Sequence, residues 1–236
     1  MTSDFIVLAT TAASIGFFHT LFGPDHYLPF IVMGKARKWS VSKTLWITSL
    51  CGLGHVLGSV VLGIFGIGLG IILNKLNWFE EIRGDLASWF LIVFGFVYAI
   101  WGIRYFIGNV SHTHQHLHDD GSIHEHPHKH SLAHAHVHNN NTKNITPWVL
   151  FVIFVLGPCE PLIPLLMYPA IQMGSVELFW IVIIFGSVTI STMLGVVLFS
   201  TLGLQSVNLD RFEKYSHTIA GLMILLSGVA IKVLGL

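Results

Sequence analysis

The amino-acid sequence predicts an all-α membrane protein with six transmembrane helices, built as two inverted three-helix repeats joined by a His-rich loop. Three observations predict it. Of 236 residues, 53% are hydrophobic and only 10% charged, against roughly a quarter charged in a soluble domain, so the chain has too little polar surface to stay in water. The few charges are clustered, and Leu86 to Ile103, Trp148 to Met173 and Leu178 to Leu204 run almost without them. Each run is long enough to cross a hydrocarbon core, which takes about 20 helical residues. Finally, one polar segment divides the apolar chain into two halves that look alike.

Hydrophobic helices are expected near 4–33, 43–73, 86–107, 147–172, 176–203 and 215–235. The N-terminus lacks the basic flank of a cleavable signal peptide, so Phe5 onward reads as mature structure. Residues 1–107 then form the first repeat, 108–146 the His-rich loop and 147–236 the second repeat. Leu21 to Leu28 aligns with Val155 to Leu162, each carrying Gly-Pro followed by a polar pair, Asp25-His26 in one and Cys159-Glu160 in the other. His55 to Val60 is echoed by Thr192 to Val197 at a similar offset. An odd number of helices per half inverts one half relative to the other. That is a transporter architecture, with the substrate held near the midplane where both repeats have interrupted helices.

Lys35, Arg37, Lys38 and Lys43 lie in the first connection and Arg211 and Lys214 in the fifth, whereas Lys75 and Arg83 are offset by Glu80, Glu81 and Asp85. The positive-inside rule places the first, third and fifth connections in the cytoplasm of a plasma (inner) membrane protein, and the His-rich loop with them. Trp39, Trp46, Trp78 and Trp148 fall near segment ends, as interfacial anchors do. Pro161, Pro164 and Pro169 are expected to break the fourth helix, and Gly54, Gly58, Gly63, Gly66 and Gly70 to permit close packing.

The polar residues inside the helices carry the functional expectation. His19, Asp25 and His26 sit in the first helix, His55 in the second and Glu160 in the fourth, although an ionisable group at membrane depth costs about 2.5 to 3.5 kcal/mol by insertion scales. Positions seven apart differ by about 20° in azimuth, so His19 and His26 share a helix face. Gly23-Pro24 is expected to break the helix there and turn Asp25 and His26 toward a cavity. Three imidazoles and a carboxylate suit a borderline divalent cation, nickel, cobalt or zinc, better than a hard-oxygen metal. The competing reading is structural: His55 alone fits a helix-to-helix hydrogen bond equally well. Glu160, beside Cys159, reads as a gating or coupling group or equally as a partner for His26 across the repeat interface.

The loop carries a second signal. Between residues 112 and 138 stand eleven histidines in a largely His-x-His spacing: His112, His114, His116, His118, then His124, His126, His128, His130, then His134, His136 and His138. This composition cannot form an apolar core and is expected to be a flexible metal-binding segment, acting as a local buffer or sensor; a plain linker or an acid-responsive charge switch is the alternative. The absence of Cys there argues against a structural zinc finger and against copper(I).

Phe18-His19-Thr20-Leu21-Phe22-Gly23-Pro24-Asp25-His26, followed by Gly52-Leu53-Gly54-His55, resembles the nickel/cobalt transporter family and the related urease-accessory (UreH-like) membrane proteins of the LysE-type exporter superfamily. The resemblance covers the topology, both motifs and the His-rich loop; the second half matches only at its Gly-Pro. The family signature has four residues between the first His and the Asp-His pair, and this chain has five. The resemblance implies passage of a transition-metal cation, with His19, Asp25, His26 and His55 matching the selectivity residues and a lean toward export.

Two other classes stay open at this point. Gly157-Pro158-Cys159-Glu160-Pro161 is similar to the cysteine-bearing helix of thiol-disulfide electron conduits, but the position related to Cys159 in the first repeat is Asp25, and Cys51 is not repeat-related. A sulfite-type anion exporter would need Arg or Lys facing the cavity, which the central parts of the expected helices lack. No nucleophile and base pair or phosphate-binding loop points to an enzyme. No nucleic-acid partner is expected; the bilayer and a divalent metal ion are, and a homo-oligomer is left open. No permanently bound cofactor is expected, Ni2+, Co2+ or Zn2+ being cargo.

Overall fold

In the computed structural model, residues 3–69, 73–108, 112–117, 123–128, 145–157, 159, 161–172, 174–206 and 213–234 are described. Helix α1, Ser3–Phe22, stops where Pro24 pushes Gly23 into extended backbone (φ −87°, ψ 95°). One 3-10 turn, Pro24–His26, leads into α2, Leu28–Ala36, whose Pro29 sits in the first turn where no intrahelical donor is missed. Ser40 then caps α3, Val41–Gly68, by accepting the Lys43 N–H at 3.2 Å. Helix α4 runs Leu73–Gly108, and after the loop come α5 (Thr146–Leu156), α6 (Leu162–Gln172), α7 (Ser175–Ser206) and α8 (Ser216–Leu234).

Five of these helices, α1, α3, α4, α7 and α8, are long and apolar enough to cross a bilayer. Their outward faces are as apolar as their inward ones: Trp46, Phe65 and Phe199 are 65%, 66% and 76% exposed. Such surface suits lipid, and this is the architecture of a multi-pass, all-α membrane protein.

Several expectations need correction. The fourth expected helix is two helices of 11 residues each, too short to span singly. The break lies at 157–161, with Gly157 extended (φ −58°, ψ 136°) ahead of Pro158. Pro164 and Pro169 lie inside α6 and do not break it; Pro164 falls in its first turn. The third helix starts at Leu73 rather than near 86, so Lys75, Glu80, Glu81, Arg83 and Asp85 are helical residues. With 36 residues it is about 54 Å long at 1.5 Å per residue. Trp39 is not an interfacial anchor but is buried, with the Lys43 ammonium 5.5 Å from its ring centre. The loop, expected to lack structure, contains two paired strands. β1 (His112–Leu117) and β2 (Ile123–His128) run antiparallel with His112 opposite His128, His114 opposite His126 and His116 opposite His124. The alternation read as a flexible metal tract has the two-residue period of a strand. His118, His130, His134, His136 and His138 lie outside the described residues.

Packing follows a regular plan. Helix α1 lies on α7 and α5 on α3; α2 contacts α8, α7 and α3, while α6 contacts α4, α3 and α7. Helices α3 and α7 meet each other, and the most extensive interface is that between α4 and α8. There Gly95 faces Gly221, Gly102 meets the backbone at His217 and Thr218, and Gly228 that at Ser88 and Ile92, so closely that a Cβ on Gly221 would stand 2.3 Å from the Ala99 nitrogen. Small residues let backbones approach when no hydrophobic force separates helix from lipid. The glycines the sequence singles out are closely packed too: a Cβ would stand 2.8 Å from Val155 at Gly54, 2.8 Å from Arg83 at Gly58, 2.6 Å from Leu166 at Gly63 and 2.2 Å from Leu76 at Gly66, while Gly70 lies outside the described residues.

Ion pairs and cation–ring contacts stand at two ends of the α4–α8 pair. At one end Lys38, at a left-handed φ of 52°, pairs with Glu213, Arg37 lies over the rings of Tyr98 and Trp101, and Lys214 over Phe106. The Lys38 hydrogen bond holds the Glu213 carboxyl below its ordinary range, and the same bond raises the Lys38 ammonium. At the opposite end Lys232 of α8 pairs with Asp85 of α4.

Candidate metal centre

The break after α1 and the middle of α3 bring three histidines together. Because Gly23 is extended, the 3-10 turn folds His26 back beneath the end of α1, where its ring centroid lies 4.8 Å from that of His19. A side chain at position 23 would block this: a Cβ there would stand 2.5 Å from His26 Nδ1. His55 reaches the same point from α3, its centroid 5.0 Å from that of His26. His26 and His55 are buried and His19 is partly buried. One ring nitrogen from each lies within 4.8 Å of the others.

The hydrogen bonds determine which nitrogens are available. His26 Nδ1 faces two acceptors, the Gly23 carbonyl at 3.1 Å and Asp25 Oδ1 at 3.2 Å. It must therefore carry a proton and donate, and in the neutral imidazole this leaves the lone pair on Nε2. His55 Nδ1 likewise donates to the Phe154 carbonyl at 3.4 Å. The Nε2 atoms of His19, His26 and His55 are all buried without a hydrogen-bond partner. Buried polar atoms are normally satisfied, and three unpartnered ones on residues that border one cavity offer an electron-pair donor set. Nitrogens sharing one ion at about 2.1 Å are at most about 4.2 Å apart, so small ring rotations close the trio on a cation.

Asp25 stands behind this trio: its carboxylate bonds His26 Nδ1, the arrangement in which a carboxylate orients a ligating imidazole and makes it a better donor. The four sequence-selected residues border one cavity of about 300 Å³, together with Phe154 and Gly157 of the second break. Among the described residues around it there is no Lys or Arg.

The second break is held differently, by residues that the sequence assigned to a connection. Arg83 Nη2 donates to the Val155 carbonyl at 2.9 Å and the Gly157 carbonyl at 3.1 Å, and Nη1 donates to Ser59 Oγ at 3.1 Å. The same guanidinium forms an ion pair with Glu80, one turn back on α4. Glu80, 1% exposed, accepts from Ser59 Oγ at 3.2 Å and from the Cys159 N–H at 3.0 Å. A cation thus meets the carbonyl end of α5 and an anion an N–H ahead of α6, the polarity that the broken helix itself sets up. The i, i+3 spacing of Glu80 and Arg83 was the one available signal that both belong to a helix. Cys159 is buried within this network. Glu160 lies outside the described residues.

Hydrogen-bond geometry and burial thus bring His19, His26 and His55 together as a cluster that could hold a metal ion, between the end of α1 and the end of α5. No protein-family profile, curated protein or solved structure matches the chain.

Proposed function

We propose that the protein is a six-span, inverted-repeat secondary transporter for a divalent transition-metal cation, nickel or cobalt first and zinc second. The observation that carries this is the trio of buried, unpartnered Nε2 atoms of His19, His26 and His55, two of them with the tautomer set by their own hydrogen bonds. Neutral imidazole is a ligand for this class of metal, and a hydrated cation exchanges part of its water shell for three nitrogens. Asp25 supplies the negative charge that offsets the cation.

The packing plan supports the repeat. Exchanging α1 and α2 with α5 and α6, α3 with α7, and α4 with α8 turns the α1–α7 contact into α5–α3 and the α2–α8 contact into α6–α4. The α3–α7 and α4–α8 contacts map onto themselves. In this reading α1 with α2, and α5 with α6, are each one broken span, and the two breaks border the same cavity. The basic end carrying Lys35, Arg37, Lys38 and Lys214 faces the cytoplasm of the plasma membrane. The His-rich loop, which follows α4 at that end, gathers ions for export, and a proton gradient drives the exchange.

The test is flux of Ni2+, Co2+ and Zn2+ in proteoliposomes for wild type, His26→Ala and a chain lacking residues 112–138. Selective flux that survives loop removal and is lost in His26→Ala is the expected result. Wild-type flux in His26→Ala, or no divalent flux at all, removes the reading.

A further inference from the structure

Glu80 and Arg83 do not border the metal cavity, yet they hold the segment that His55 leans on. Residues 154–157 end α5. From one side Arg83 grips the carbonyls of Val155 and Gly157; from the other, His55 Nδ1 donates to the carbonyl of Phe154 and lies 3.2 Å from where a Cβ on Gly157 would stand. The Phe154 carbonyl decides which His55 nitrogen carries the proton, and the cramped approach of Gly157 fixes the ring's position. A guanidinium is suited to such a grip because its planar fork spans two carbonyls, a hydroxyl and a carboxylate at once, which a lysine ammonium cannot match.

The pair is expensive where it sits. Ion pairs buried in a low-dielectric setting seldom stabilise more than apolar side chains of equal volume, so a purely structural role is better served by packing. The first break has no such device among the described residues. There the Tyr27 hydroxyl donates to the Leu21 carbonyl at 3.2 Å, and His26 itself donates to Gly23. One break therefore supplies ligands directly, and the other is stapled by charge and supplies the support for a ligand from α3.

We infer that the Glu80–Arg83 pair is a positioning element of the metal site: by holding the end of α5 it sets the orientation and tautomer of His55, and so keeps the third nitrogen on the ion. Neither residue touches the metal. This rests on the metal-transport reading, whose own failure the experiment separates.

Co2+ is the probe, since its d–d absorption reports ligand number and geometry. The full chain is purified in nanodiscs as wild type, His55→Ala, Arg83→Lys, the double variant Glu80→Gln/Arg83→Gln, and that double variant combined with His55→Ala. The double variant leaves no lone buried charge, and Arg83→Lys keeps the ion pair while removing the fork. Expected are Co2+ binding weakened about tenfold or more in the double variant, the range for loss of an outer-shell support, and a spectrum displaced in the direction of His55→Ala. Adding His55→Ala to the double variant should then weaken binding far less than it does in wild type, a non-additivity that general loosening of the fold would not give. Arg83→Lys should fall between. Wild-type affinity and spectrum in a folded double variant, or in Arg83→Lys should the double variant fail to insert, overturn the inference while the metal site stands. Absence of Co2+ binding by wild type overturns both.

Discussion

His26 and His55 meet edge to face, their ring centroids 5.0 Å apart and their planes at 88°. Each donates through Nδ1 to a carbonyl at a helix break, Gly23 for one and Phe154 for the other. The two breaks therefore do the same work: each presents a carbonyl that accepts a backbone N–H and, with its second lone pair, an imidazole Nδ1–H. Non-helical backbone at membrane depth is tolerated where it lines a cavity, and here it also orients the imidazoles that border that cavity.

The place of Asp25 leads to the first prediction. Asp25→Asn keeps the shape but removes the anion behind His26, whose Nδ1–H still has the Gly23 carbonyl. Binding of Ni2+, followed by titration calorimetry, should weaken about 10- to 100-fold, as for other outer-shell partners, and less than in His26→Ala. A loss equal to that of His26→Ala would show Asp25 to be a direct ligand.

Position 23 should tolerate no side chain. In Gly23→Ala the new methyl would stand 2.5 Å from His26 Nδ1 and 2.9 Å from Asp25 Oδ1, so the imidazole has to swing away from the trio. Metal flux should drop at least about tenfold, the scale of a misplaced reacting group, while circular dichroism still reports full helix content. Gly68→Ala is the control, because a Cβ there meets nothing within 4 Å. Equal flux in the two variants would separate the turn from the site.

A pH effect is expected at the basic end. Lys38 lowers the Glu213 carboxyl, chiefly through their hydrogen bond, so this pair stabilises the fold above the ordinary carboxylate pKa and the contribution disappears as pH falls through the lowered folded value. The raised Lys38 ammonium gives the mirror case: its contribution is whole below the ordinary lysine pKa and is lost as pH rises through the raised one. Both groups are exposed, so the effect is small and screened by salt. Melting curves of wild type and Glu213→Gln should differ slightly at neutral pH and converge at strongly acid and strongly alkaline pH. A gap that persists in acid would rule out the ion pair as its source.

Much of this site is legible in the chain itself. Hydropathy alone marks the apolar stretches, and because charge is so costly in lipid, His19, Asp25, His26 and His55 stand out against them. Proline chemistry locates both breaks, since Pro24 and Pro158 each force the preceding glycine into extended backbone. What one-dimensional reading misreads are charges whose partners lie elsewhere in the fold. Glu80 and Arg83 look like a connection because neutralisation by each other, by Ser59 and by the carbonyls of Val155 and Gly157 exists only once α3, α4 and α5 are packed. Trp39 looks like an anchor because nothing local says that the chain folds over it.

Residue type and order suffice to mark a helical, lipid-facing protein, the two Gly-Pro breaks and the buried histidines, all of which follow from the cost of placing polar groups and backbone in hydrocarbon. Packing alone reveals that Asp25 bonds His26 Nδ1, that His55 Nδ1 donates to the end of α5, and that an ion pair staples the second break. Those depend on directions and distances of a few ångströms between distant segments, which hydrogen bonds resolve and hydropathy does not.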